Sequence, residues 1–272
     1  MGLPPGRFFD FLGNLPPEPR LAIVGSRAAS VATCQALLFI VEACRSSGWS
    51  LVSGGALGID GAAHWAALAL GVPQMCVLPC GIDRRYPERN ADLFARLEAS
   101  PEASLLFSLS ERARGGRGVF ASRNRIVVGS AQAVIVAQAG RPSGSYGTGV
   151  LALRKERPLA VLPGSSGCSV LAGKGANILP DPGDGIGWEP RLREATADWL
   201  LAIVEGRPRP SWRRLWPKDL RWLESEIRTS GPSGIAVDQL SDSLRGICGL
   251  VEAEALELVI ELSPGRWGLR TG

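Results

Sequence analysis

Leu21-Ala22-Ile23-Val24 runs straight into Gly25-Ser26-Arg27, and a second apolar run, Ser50–Ser53, leads into Gly54-Gly55-Ala56-Leu57-Gly58-Ile59-Asp60. Glycine lets backbone N–H groups approach a ligand, and a following helix aims its positive end at the same point. Phosphate is the anion that suits this arrangement, and Arg27 adds a fixed charge with fork-shaped donors. Two further turns follow the same plan: Ser143-Gly144-Ser145 with Gly147-Thr148, and Gly164-Ser165-Ser166. One glycine turn is ordinary in an α/β chain. Four on one side of one sheet, most with Ser or Thr beside the glycine, supply hydroxyl and N–H donors for phosphate oxygens.

Arg123-Asn124-Arg125 opens the apolar segment Ile126-Val127-Val128. A helix start disfavours cations, so two arginines there make sense around an anion. Phe120 offers a face for stacking on a base, or a side chain for the core. Arg112, Arg114 and Arg117 add positive charge nearby, although a charge run also marks a solvated face. The single histidine, His64, reads as a packed, hydrogen-bonded residue, with Asp60 as the cap of its helix. The loop from Gly81 to Pro87 reads as structural. There is no Walker A sequence, no dinucleotide fingerprint and no metal cluster. The sequence therefore predicts no catalytic residue, no metal site and no cofactor.

The elements that must position these groups alternate. Strands are expected at Leu21–Val24, Ser50–Ser53, Gln74–Leu78, Ala103–Phe107, Ala133–Ala137 and Pro158–Val161. Helices are expected at Ser30–Ser47, Ile59–Leu70, Asp92–Glu98, Arg123–Ala131 and Ser145–Glu156. Short, uniformly apolar strands belong to a sheet covered on both faces. The pattern gives an α/β, Rossmann-like, doubly wound and mostly parallel sheet, with ligands outside the carboxyl ends of its strands. Residues 1–20, with five prolines, read as a short leader with one helical turn near Phe8–Leu12. Residues 164–190 read as irregular, and 191–205 as a helix with Leu192, Trp199, Leu200 and Ile203 on its apolar stripe. The expected domains are 21–205, a linker at 206–217, and a small winged-helix-like module at 218–272. The module has three helices (218–230, 237–244, 251–258) and a hairpin of Val259–Leu262 with Trp267–Leu269.

With 272 residues, 45% of them apolar, the chain can bury a sizeable core, and its net charge of +4 is only mildly basic. The six cysteines form no zinc pattern and read as reduced thiols. No signal peptide or membrane span is evident, so the expected location is cytoplasmic, without membrane association.

Taken together, these motifs resemble the DNA-processing protein A (DprA/Smf) family. The matching pieces, in order, are Ala22–Arg27, Leu51–Asp60 with His64, Cys80-Gly81-Ile82-Asp83 with Tyr86-Pro87 and Asn90, and Ser110-Glu111. Phe120 with Arg123–Ile126, Ser143-Gly144-Ser145, Pro163-Gly164, Gly167-Cys168 and Gly175-Ala176 follow. The resemblance covers roughly residues 20–180. It implies a non-catalytic, homodimeric protein that binds single-stranded DNA, protects incoming strands and loads the RecA recombinase in natural transformation. It also implies a basic pocket of Arg27, Arg123, Asn124 and Arg125. Gly25, Ser26, Gly54, Gly55, Ser143, Gly144 and Ser145 map onto the family's phosphate-contacting turns; the reading of the residues adds Ser53 beside Gly54 and Phe120 as a stacking face. Ala121 stands where the family usually has Pro, Ser169 where it has Asn, and Tyr146–Gly149 in place of a more apolar run.

Two other readings compete. One is a nucleotide-processing or nucleotide-sensing protein of the LOG-like superfamily, whose Pro-Gly-Gly-x-Gly-Thr loop Pro142–Thr148 resembles. That group needs a Glu three residues after the Thr, and here the residue is Leu151. The other makes the C-terminal module the DNA reader, but its helices carry Glu224, Glu226, Asp238, Asp242, Glu252, Glu254 and Glu257. That charge suits protein contact better.

Overall fold

The computed structural model describes residues 10–109, 118–182 and 187–207, with the backbone of three short strands nearer the C-terminus. In chain order the elements are β1 (Asp10–Leu12), β2 (Arg20–Gly25), α1 (Val31–Ser46), β3 (Ser50–Ser53), α2 (Ile59–Leu70), β4 (Gln74–Leu78), α3 (Ala91–Ala99) and β5 (Ala103–Phe107). Then come α4 (Val119–Gly129), β6 (Ala133–Gln138), α5 (Gly144–Arg154), β7 (Leu159–Val161), α6 (Ser166–Gly173), β8 (Asn177–Ile178) and α7 (Trp188–Val204). The eight strands form one sheet in the order β1-β5-β4-β3-β2-β6-β7-β8. All neighbours are parallel except β1, which runs antiparallel to β5. This is the expected α/β, mostly parallel sheet.

Strand residues alternate between two cores, as the two-residue period of a pleated strand requires. Leu21 and Ile23 of β2, with Ala133 and Ile135 of β6, pack under α1, α2 and α7. Ala22 and Val24, with Val134 and Val136, pack under α4, α5 and α6. A third cluster joins Leu93, Phe94 and Leu97 of α3 to Cys76 and Leu78 of β4 and Leu105 and Phe107 of β5. Leu192, Trp199 and Leu200 of α7 are buried and Ile203 is partly so, as the stripe predicts.

Three expectations are corrected. The helical turn near Phe8–Leu12 fails over its described part: Asp10–Leu12 is an edge strand, with Asp10 opposite Phe107 and Leu12 opposite Leu105. Phe11 and Leu12 reach opposite sides of the sheet, into different clusters, which a strand allows. The stretch 164–190 is not irregular, because α6 and β8 lie within it. Gly167 lets α6 start against the sheet, since a Cβ there would stand 2.7 Å from the Ala139 carbonyl oxygen. Finally, α4 begins at Val119 and not at Arg123, which reorients the arginines below.

The chain divides into two units, Met1–Arg209 and Pro210–Gly272. In the second, Val259–Ser263 (β10) pairs antiparallel with Arg266–Leu269 (β11), which also pairs with Ile235–Ala236 (β9). The hairpin read from the sequence is therefore present. The three helices and the winged-helix reading fall outside the described residues. Among the described residues no helix is long and apolar enough to cross a membrane, and no cluster could hold a metal ion. The described cysteines are unpaired, and burial pushes the Cys44 thiol up to about 12.

Candidate nucleic-acid interface

The four glycine turns leave β2, β3, β6 and β7, which are neighbours in the order β3-β2-β6-β7. Parallel strands thus bring all four turns to one carboxyl edge. There, however, most of their groups are occupied by the protein itself. A Cβ on Gly25 would meet Ile59 Cγ1 at 2.4 Å, and one on Gly55, at φ +64°, would meet Cys76 Sγ at 2.7 Å. A Cβ on Gly54 would fall 1.2 Å from Arg123 Nη1. These glycines leave room for internal side chains, and Gly54 also lines the cleft described below. Gly144 is the exception: it is exposed, with open space beside it.

The hydroxyls divide similarly. Ser53 is buried, and its Oγ donates to the Ile23 carbonyl at 2.6 Å, so it is withdrawn from any ligand. Ser26 Oγ accepts from the Ala28 N–H at 3.1 Å. Ser143 caps α5 by accepting from the Tyr146 N–H at 3.1 Å, and Ser145 Oγ donates to the Gly25 carbonyl at 2.6 Å. That last bond ties the turns after β2 and β6 together.

Val119, Phe120 and Ala121 fill the first turn of α4, so Arg123-Asn124-Arg125 falls in the second. Arg123 is only 5% exposed, with Nη1 3.6 Å from Asp60 Oδ2, itself buried. Asn124 Nδ2 donates to Thr148 Oγ1 on α5 at 2.8 Å. Arg125 lies two residues on, about 200° around the helix from Arg123, and is exposed. The three side chains therefore do not converge, and the expected basic pocket loses Asn124 and Arg125. Asp60 is not the cap of α2, a place taken by Gly58. Burial pushes its carboxyl above the ordinary range, against the pull of Arg123 and of the backbone N–H groups of Ala56, Gly25 and Gly54. Asp60 and Arg123 thus join the turns after β2 and β3 to α4. His64 is packed as read: Nδ1 lies 2.7 Å from Gln74 Oε1, and burial pulls its pKa down to about 4.

What stays open is a cleft beyond β3 and β4, lined by Arg27, Gly54, Pro79, Tyr86, Phe120 and Arg123 among others. The Arg27 guanidinium sits 5.1 Å over the Phe120 ring, within cation–π range. The Tyr86 ring lies 6.0 Å from that of Phe120, tilted by 55°. Arg27 is exposed and has no ion pair among the described residues, whereas the charge of Arg123 is matched by Asp60. The cleft therefore combines a solvent-facing cation, a neutralised floor and an aromatic wall. Arg27 and Phe120 were legible from sequence. Tyr86 was not, because Arg84-Arg85-Tyr86-Pro87 carries no mark separating a ligand wall from a structural loop.

Residues 5–186 match the model of the family described as DNA recombination-mediator protein A. The putative DNA processing protein DprA of Mycobacterium tuberculosis is 32% identical over 183 residues, covering 65% of this chain and 46% of that protein. The DNA processing protein DprA of Streptococcus pneumoniae is 35% identical over 170 residues, 59% of this chain and 58% of its own. The chain spans about half the length of the curated relatives it matches. Among solved structures, DNA processing protein A from Streptococcus pneumoniae superposes with TM-score 0.59 and 32% identity, over 65% of this chain and 64% of that one. DNA processing protein A from Helicobacter pylori, in a structure concerned with that protein's single-stranded DNA binding mode, gives TM-score 0.58 and 29% identity. It covers 65% of this chain and 83% of that one. The family match takes in well over half of the sequence and every strand of the large sheet. The chain belongs to the DNA recombination-mediator protein A (DprA/Smf) family.

Proposed function

We propose that the chain binds single-stranded DNA at the cleft beyond β3 and β4, without catalysis. The observation that carries this reading is the Arg27 cation stacked on Phe120 at a cleft whose other described cation, Arg123, is matched by Asp60. A charge for a phosphate beside an aromatic face for a base binds unpaired strands with little regard to sequence. The single-stranded DNA binding of the Helicobacter pylori relative supports it. The exposed turn Ser143-Gly144-Ser145, joined to Gly25, extends the phosphate track along the same edge.

The wider role we propose is that of a cytoplasmic homodimer that shields incoming strands and loads RecA on them in natural transformation. Residues 21–205 form the DNA-binding part. A linker at 206–217 leads to a winged-helix-like part at 218–272, whose acidic helices suit contact with protein. The nucleotide-processing alternative is not favoured: the family match points elsewhere, and Leu151 stands where its catalytic acid is required.

The test is fluorescence anisotropy of the full chain with labelled oligo-dT and a matched duplex at several salt concentrations. The expected result is salt-sensitive binding to the single strand and weak binding to the duplex. No single-strand binding at low salt overturns the proposal.

A further inference from the structure

We propose that Tyr86 is a second stacking platform beside Phe120, and that this aromatic pair makes the site select unpaired over paired strands. The inference rests on the DNA-binding reading above and adds the residue and the physical basis of the selectivity.

Tyr86 belongs to the loop between β4 and α3, and that loop is pinned along its length. At its start Cys80 Sγ donates to the Arg84 carbonyl at 3.3 Å. In its middle Arg85 pairs with Glu98, donates to the Ile82 carbonyl at 2.8 Å and lies 4.8 Å over the Phe107 ring. At its end Asn90 Nδ2 donates to the carbonyls of Gly55 and Ala56, at 3.0 and 3.2 Å, in the turn after β3. A loop fixed this way still leaves Tyr86 46% exposed, with the Phe120 ring as its aromatic neighbour. A large aromatic side chain held in water forgoes the burial that would stabilise the fold. Held next to a second ring and a cation without an ion pair among the described residues, it is preorganised for a flat apolar ligand joined to an anion.

An unpaired nucleotide has that chemistry. Its base has an open π-face and its phosphate a charge. In a duplex the bases are stacked inside, and only the phosphates remain for Arg27. Tyr86 and Phe120 therefore set which strand is held, and Arg27 sets how strongly salt weakens it.

The test compares the full-length parent with Tyr86→Leu and Tyr86→Trp, using labelled oligo-dT and a matched duplex, with thermal melting as a check on folding. One lost base stack corresponds to roughly a 5- to 140-fold loss of affinity. Tyr86→Leu is expected to lose that much on oligo-dT and nothing on duplex, with an unchanged salt slope. Tyr86→Trp is expected to keep single-strand affinity. Its added indole emission, taken as the difference from the parent, is expected to be quenched by oligo-dT and not by duplex. Tyr86→Leu binding oligo-dT within twofold of the parent overturns the inference, as does equal loss on both ligands or an unquenched indole. If the parent itself fails to bind oligo-dT, the DNA-binding reading falls. If the parent binds and the variants behave as it does, only the role of Tyr86 falls.

Discussion

Replacing Arg27 and replacing Arg123 have different consequences for how salt weakens DNA binding. On single strands each neutralised phosphate contributes about 0.7 to the slope of log affinity against log salt. Arg27 is exposed and unmatched by a carboxylate among the described residues, so its charge is available to a phosphate. Arg27→Ala removes one such contact. The slope becomes shallower by about 0.7, which corresponds to about a 2.6-fold smaller loss of affinity between roughly 50 and 200 mM salt. Affinity at low salt falls by roughly tenfold or more, the usual value of a charge-assisted hydrogen bond.

Arg123 behaves otherwise because its charge is spent within the protein, 3.6 Å from Asp60, with both side chains 6% exposed. Removing Arg123 alone leaves Asp60 buried and unpaired, which destabilises the fold by about 3–5 kcal/mol. The informative variant is the double replacement Asp60→Asn with Arg123→Met, which removes both charges and keeps similar volume. It is expected to fold and to give the parent's slope within error. Anisotropy titrations of oligo-dT at four or five salt concentrations supply the slopes. A double variant whose slope is shallower by about 0.7 refutes the reasoning, because Arg123 would then leave Asp60 to contact phosphate.

Other outcomes follow from the same geometry. Arg125→Ala is expected to change neither affinity nor slope, because Arg125 lies on the far side of α4 from the cleft; the same titrations check it. Gly54→Ala must displace Arg123 from a position 1.2 Å away, and urea unfolding is expected to show a loss of about 3 kcal/mol. Ser53→Ala removes the buried bond to Ile23 and is expected to cost about 1–2 kcal/mol of stability while oligo-dT affinity is kept. His64 has a folded pKa of about 4 against an ordinary 6.5, so the unfolded chain binds the proton more readily. Its contribution is complete above pH 6.5 and is lost as pH falls towards 4, by up to about 3 kcal/mol. Urea titrations at pH 7.5 and 4.5 measure this loss, and His64→Gln is expected to flatten it.

The sheet was legible because its strands are short apolar runs bounded by glycine, proline or polar residues. Ser50–Ser53, Gln74–Leu78 and Ala103–Phe107 begin and end where the sequence places them. The edge strand Asp10–Leu12 was not, since three residues give no alternation and its partner β5 lies far along the chain. Nor was α6, because Ser-Gly-Cys-Ser has the composition of a loop. Its helix depends on burying Cys168, Leu171 and Ala172 against the sheet. At the site, residue type was legible and direction was not. A helix start displaced from Arg123 to Val119 turns Arg123 inward to Asp60 and leaves Arg125 in solvent.

That displacement also explains why the cleft lies where it does. In doubly wound sheets ligands collect where the strand order reverses, here between β2 and β6. At this crevice the described polar side chains are already partnered. Gln138 Oε1 accepts from the Ser30 N–H at 3.0 Å, Ser30 and Ser143 cap their own helices, and Ser145 holds Gly25. Backbone N–H groups near Gly144 remain for a phosphate, and Arg141 lies 5.8 Å from the Tyr146 ring beside them. Arg27 leaves the crevice on the other side, towards Phe120 and Tyr86. A ligand that is only an anion would be held at the crevice. A ligand that is an anion joined to a base must extend across β2 towards β3 and β4, where the rings are. A free phosphate is therefore expected to compete poorly with even a short oligonucleotide.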